Sequence, residues 1–105
     1  NGNLRILDLG HNHLRSLYSD TFNSLINLQQ LHLDHNQLEN TRFLFMSNPQ
    51  LKVLNLDGNE IAYFHIGNFE RNVNLEVLKV NRYGCQGLPY YYSKTLHFLF
   101  ILATN

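Results

Sequence analysis

Apolar residues fall at Leu4, Leu7, Leu9 and Leu14, and the same spacing returns at Leu28, Leu31, Leu33 and Leu38 and at Leu51, Leu54, Leu56 and Ile61. An asparagine holds a fixed place in each set, at Asn12, Asn36 and Asn59. A fourth set starts with Leu75, Leu78 and Val80 and then breaks, with Tyr83 where the asparagine belongs. The first leucines of the sets recur at a nearly constant interval, which gives full copies at 4–27, 28–50 and 51–74 and a partial copy from 75. Around Leu7 and Leu9, Leu31 and Leu33, Leu54 and Leu56, and Leu78 and Val80 the pattern alternates with period two, which predicts a short strand in each copy. Leucines then point to one side and the residues between them to the other. A repeat of this length and spacing predicts a solenoid of stacked coils whose strands lie in parallel.

The second half of each copy carries the chain back on the outer side. Leu14, Leu17, Phe22 and Leu25 anchor it in the first copy, and Ile61, Phe64 and Phe69 in the third. Phe69 has the same offset from Leu51 that Phe22 has from Leu4. The second copy is one residue shorter, and Phe43, Leu44, Phe45 and Met46 crowd the place of one aromatic before Asn48-Pro49 punctuates the return. Short helical or irregular turns are predicted here, including Ser19 to Leu25 with Ser19 or Asp20 as a cap. Asn12, Asn36 and Asn59 follow each strand where the chain turns. A side-chain amide that both donates and accepts suits them to a structural ladder satisfying turn backbone groups between coils.

The motif L-x-x-L-x-L-x-x-N-x-L, followed by a phenylalanine and a closing leucine, resembles the leucine-rich repeat family over residues 4 to about 82. The 24-residue length with that phenylalanine is similar to the typical repeats of animal extracellular proteins, such as Toll-like receptors and secreted insect immune proteins. The resemblance implies an α/β solenoid: a horseshoe segment with parallel strands on its concave face and irregular, short helical or 3-10 turns on its convex side. It also implies a recognition module within a larger secreted or receptor ectodomain, in innate immunity or cell-surface recognition.

Residues 1–82 thus read as repeats, and 83–105 as an irregular aromatic and apolar tail containing Tyr90, Tyr91 and Tyr92 and the run Lys94 to Ala103. Three readings of the tail stand open: an unbridged cap, an unfinished fifth coil, or unrelated appended sequence. A terminal coil exposes one flank of its core, which favours the cap. At the other end the chain opens inside a repeat, at Asn1-Gly2-Asn3-Leu4, with no cap legible, and reads as a piece of a longer solenoid.

Composition narrows the function. Eight basic residues balance eight acidic ones, so the chain lacks the electrostatic footprint expected of a nucleic-acid or anionic-membrane binder. The apolar stretch Leu96 to Ala103 is interrupted by His97 and falls short of the roughly 18 residues a membrane span needs. Cys85 is the only cysteine, so no intrachain disulfide forms, and no N-x-S/T glycosylation motif occurs. Those two facts keep a cytoplasmic scaffold or adaptor open as the alternative to the cell-surface reading.

Across the stack, the residues between the leucines align in columns: Arg5, Gln29, Lys52, Glu76; Ile6, Gln30, Val53, Val77; Asp8, His32, Asn55, Lys79; Gly10, Asp34, Asp57, Asn81; and His11, His35, Gly58, Arg82. This mixed polar face suits a protein ligand or co-receptor. Its candidate contacts are Arg5, Asp8, His11, Gln30, His32, Asp34, His35, Lys52, Asn55, Asp57, Lys79, Asn81 and Arg82. Imidazoles and carboxylates gather at Asp8, His11, His32, Asp34, His35 and Asp57, but no short-range metal motif accompanies them, so they read as structural or solvent-exposed, with a pH-sensitive contact and a zinc-type metal site as the lesser alternatives and no metal or cofactor assigned. Nucleophile elbow, phosphate loop and H-E-x-x-H are all missing, and a lone turn cysteine is a weak nucleophile candidate. No catalytic residue is assigned, and the chain reads as a non-enzyme.

Overall fold

The structure, a computed structural model, describes residues 2–61, 69–81 and 99–103. Among the described residues, five short strands, β1 (Ile6–Asp8), β2 (Gln30–His32), β3 (Val53–Asn55), β4 (Val77–Asn81) and β5 (Leu99–Ala103), form one parallel sheet in chain order. Leu7, Leu31, Leu54 and Leu78 face one another across consecutive strands, so each repeat contributes the same inward leucine. This is the solenoid of stacked coils that the spacing predicts.

Coil closure explains where the core lies. Leu28, Leu31, Leu33 and Leu38 of the second coil are fully buried, as are Leu51, Leu54 and Leu56 of the third. Leu4, Leu7, Leu9 and Leu14 of the first coil are only partly covered and pack against this core from one side. Phe22, Phe45 and Phe69 stack behind the leucines, with centroids 6.4 and 6.0 Å apart and nearly parallel rings. Of the crowded second-copy residues, Phe45 and Leu44 enter the core, while Phe43 and Met46 are left exposed. The shorter copy is accommodated with Phe43 at φ 67°, a left-handed conformation uncommon for a bulky side chain.

Of the three asparagines expected to form a ladder, Asn36 and Asn59 bridge neighbouring coils and Asn12 does not. The side-chain amide of Asn36 donates to the carbonyls of Leu9 and Leu33 at 3.0 and 3.1 Å, and its oxygen accepts from the Leu14 amide at 3.1 Å. Asn59 repeats this one coil on, donating to Leu33 and Leu56 and accepting from Leu38. Asn12, in the first coil, donates within its own turn to Leu9 and Gly10.

Of the two readings for Ser19 to Leu25, the irregular one holds. The segment is a chain of turns, with Thr21, Asn23 and Leu25 each bonding the carbonyl three residues back, and no α-helix forms among the described residues. Coils this short leave too little chain on the convex side for the i to i+4 bonds of a stable helix. The tail needs a correction, because residues 99–103 are a strand rather than irregular chain, pairing Val77 with Leu99 and Asn81 with Ala103. The outer edge of β4 would otherwise present unpaired backbone groups, and β5 satisfies them. The expectations placed on Phe64, Arg82, Tyr83, Cys85 and the three adjacent tyrosines fall outside the described residues. No helix among the described residues is long and apolar enough to cross a membrane.

Candidate functional site

Strand register builds the concave face directly. Ile6, Gln30, Val53 and Val77 are partners across the sheet, and so are Asp8, His32, Asn55 and Lys79. The first row is mostly apolar, with Ile6 more than half exposed, and the second is polar and charged. Arg5 and Lys52 are exposed just before their strands, and the Arg5 guanidinium reaches the Asn27 carbonyl at 3.5 Å. Asn81 lies at the end of β4.

Some of these polar groups already serve the fold. Asp8 accepts from the Gly10 amide at 2.9 Å and Asn55 from the Asp57 amide at 3.1 Å, each closing the turn that follows its strand. Gln30 and His32 approach one another at 3.4 Å. Beyond the strands the parallel pairing continues: Leu9, His11, Leu33 and His35 donate to the carbonyls of His32, Asp34, Asn55 and Asp57 of the next coil.

One corner is more tightly built. His11, His35 and Gly58 occupy the same place in successive coils, and all have positive φ, at 59°, 57° and 72°. Histidine is among the few non-glycine residues enriched in that region. The His11 and His35 rings stack with centroids 4.3 Å apart and planes 9° apart. The Asp34 carboxylate touches both, 3.1 Å from Nδ1 of His35 and 3.6 Å from Nε2 of His11. Two glycines create the room. A Cβ at Gly10 would lie 2.8 Å from Oδ1 of Asp34, and one at Gly58 would lie 2.9 Å from Cδ2 of His35.

The neighbouring carboxyls are driven in opposite directions. Partial burial works to raise Asp34, but the His35 hydrogen bond, its own backbone amide and the charges of His35 and His11 outweigh it and hold it below its usual range. Burial pushes Asp57 up, with Asp34 adding to the rise and Lys79 and His35 only partly opposing it. Its Oδ1 is buried without a hydrogen-bond partner.

Of the sequence candidates, the fold brings together Asp34, His11 and His35, and it aligns Asp8, His32, Asn55 and Lys79 in one row. Arg82 lies outside the described residues. The apolar anchors Ile6, Val53 and Val77 and the space-making Gly10 and Gly58 belong to the face as well. Their signal in the sequence was their place in the columns.

Comparison with known proteins agrees with this geometry. A family model described as Leucine rich repeat matches residues 1–38. Chaoptin of Drosophila melanogaster is 32% identical over 96 residues, covering 83% of this chain and 7% of chaoptin. Osteomodulin of Rattus norvegicus is 40% identical over 77 residues, covering 71% of this chain and 18% of osteomodulin. The solved structure of a TLR13–ssRNA13 complex superimposes with a TM-score of 0.67 at 39% identity, over 75% of this chain and 11% of that one. The chain thus spans less than a fifth of each of these relatives.

Proposed function

The chain belongs to the leucine-rich repeat family, and from that premise we propose that it is a recognition module binding a protein partner on its concave strand face. One observation carries this reading: strand register sets an apolar row, Ile6, Val53 and Val77 around Gln30, beside the polar row of Asp8, His32, Asn55 and Lys79. Apolar anchors flanked by hydrogen-bonding groups are what a protein interface uses. The backbones of β2, β3 and β4 are paired on both sides, so binding on the face they form rests on side chains presented by a rigid sheet. No step of chemistry is assigned to the face.

The relatives support placing the parent protein at the cell surface or outside the cell, as a receptor or secreted ectodomain in innate immunity or cell-surface recognition. The single cysteine and the missing glycosylation motif favour an intracellular scaffold as the second reading. Locating the tagged full-length protein in intact cells, with and without permeabilisation, separates the two.

The binding reading is tested with a panel of purified extracellular proteins and a single-stranded RNA. The RNA is included because the TLR13 structure is titled as a complex with one. A protein ligand lost on Val53→Glu with His32→Glu, and kept on the convex substitution Tyr18→Ser, supports concave-face recognition. Binding that only the convex change abolishes, or that is confined to RNA, overturns it.

A further inference from the structure

We propose that His11, Asp34 and His35 form a three-ligand site for a divalent transition metal of the zinc type, at the edge of the concave face. One ligand atom from each of the three lies within 4.8 Å of the others. Zinc holds imidazole nitrogen and carboxylate oxygen at about 2.0–2.2 Å, which sets tetrahedrally placed ligand atoms roughly 3.4 Å apart. The two nitrogen-to-Oδ2 distances, 3.1 and 3.6 Å, bracket that edge. Two imidazoles and one carboxylate are a donor set suited to zinc and its neighbours rather than to calcium or magnesium.

The site is held in place by the fold. The His11 and His35 amides bond to the carbonyls of Asp34 and Asp57, and both residues sit at positive φ, so the backbone fixes where each ring starts. Gly10 and Gly58 admit the carboxylate and the His35 ring, as their blocked Cβ positions show. The Asp34 carboxylate offers an oxygen ligand between the two imidazoles. One adjustment is required. A metal lies in the plane of each ligating ring, and the two rings are now nearly parallel. One must turn, and His11, with 73% of its side chain accessible, is free to do so. Three protein ligands leave a fourth position of a tetrahedral ion open to water or to a side chain of a bound protein. This inference is independent of whether the concave face binds a partner.

Isothermal titration of the 105-residue chain with zinc chloride tests it. A single saturable site is expected. His11→Asn, Asp34→Asn and His35→Asn, with asparagine chosen because it tolerates positive φ, should each weaken binding by at least about tenfold, since disturbing even a ligand's supporting partners has that effect. His13→Asn, outside the cluster, should leave it unchanged. Absence of zinc binding, or binding that all three cluster variants retain, overturns the proposal. Should a variant fail to fold by circular dichroism, the unsubstituted chain still decides: substoichiometric paramagnetic copper must broaden the His11 and His35 ring resonances before those of His13 and His32. Uniform broadening overturns the assignment.

Discussion

Asn48 donates its side-chain amide to the carbonyl of Phe22, one coil earlier, at 3.0 Å from a position with no solvent exposure. It also bonds the Leu25 carbonyl at 3.0 Å, and Asn72 does the same one coil on, to the carbonyls of Phe45 at 2.9 Å and Asn48 at 3.0 Å. The convex side therefore has an asparagine ladder of its own, three residues after each spine phenylalanine. Leu25 holds the equivalent place in the first coil.

Asn72→Ala should consequently be among the more damaging polar substitutions. It removes two buried hydrogen bonds, each contributing about 0.5–1.5 kcal/mol, and leaves the Phe45 and Asn48 carbonyls with only the backbone amides of Asn48 and Leu51. Asn12→Ala, which removes bonds within one exposed turn, should cost about 1 kcal/mol or less. Urea denaturation of both variants measures the difference. Equal losses would show that the convex amide contributes nothing special.

The two second-copy aromatics should respond oppositely. Phe45 stacks between Phe22 and Phe69 with no exposure, so Phe45→Ala should cost about 3–5 kcal/mol. Phe43 is half-exposed at φ 67°, so Phe43→Gly removes left-handed strain of about 1–2 kcal/mol. It also loses the Arg42 contact over the ring, worth about 0.5–1 kcal/mol at an exposed site. The net change should lie between neutral and about 1 kcal/mol stabilising, against the added freedom of a glycine in the unfolded chain. A lower thermal midpoint for Phe43→Gly by several degrees would contradict this account.

Period and alternation made the sheet, the inward leucines and the concave columns legible, because each depends only on spacing along one chain. Asn36 and Asn59 were equally readable, since they repeat at a fixed offset after a strand. Asn48 reads in the sequence as turn punctuation before Pro49. Its partner Asn72 stands one repeat further on, but the first copy has Leu25 there, so a single repeat interval carried the signal. Choosing Phe45 over Phe43 needed the three-dimensional accommodation of a shortened coil. The corner of His11, Asp34 and His35 needed more still: columns place the residues near one another, but only the left-handed turns and the space above Gly10 and Gly58 set the distances between them.

Gly58→Ala tests that corner without touching a titratable group. The new Cβ must sit at φ 72° and within 2.9 Å of the His35 ring, so it should destabilise the chain by about 1–2 kcal/mol and push the two imidazoles apart. Ring-current shifts of the His11 and His35 protons should shrink in the variant. Unchanged shifts would mean that the stack does not depend on the glycine.

Asp57 gives the chain a pH-dependent weakness whose sign follows from its raised pKa. The folded state binds this proton more tightly than the unfolded state, so its favourable contribution is complete in acid and is lost as pH rises through the folded value, above the ordinary carboxylate range. At neutral pH the ionised carboxylate is partly buried, and its Oδ1 lacks a hydrogen-bond partner. Asp57→Asn should therefore be more stable than the parent at pH 7, with the gap closing towards about pH 4, where an ordinary aspartate is itself half protonated. Comparing the two at each pH removes the opposing effect of Asp34, whose depressed carboxyl stabilises at neutral pH and loses that contribution as the medium is acidified through its folded pKa. Urea midpoints measured from pH 4 to 8 give the difference curve. A gap that widens towards acid would reverse the sign and show that Lys79, rather than burial, governs this carboxyl.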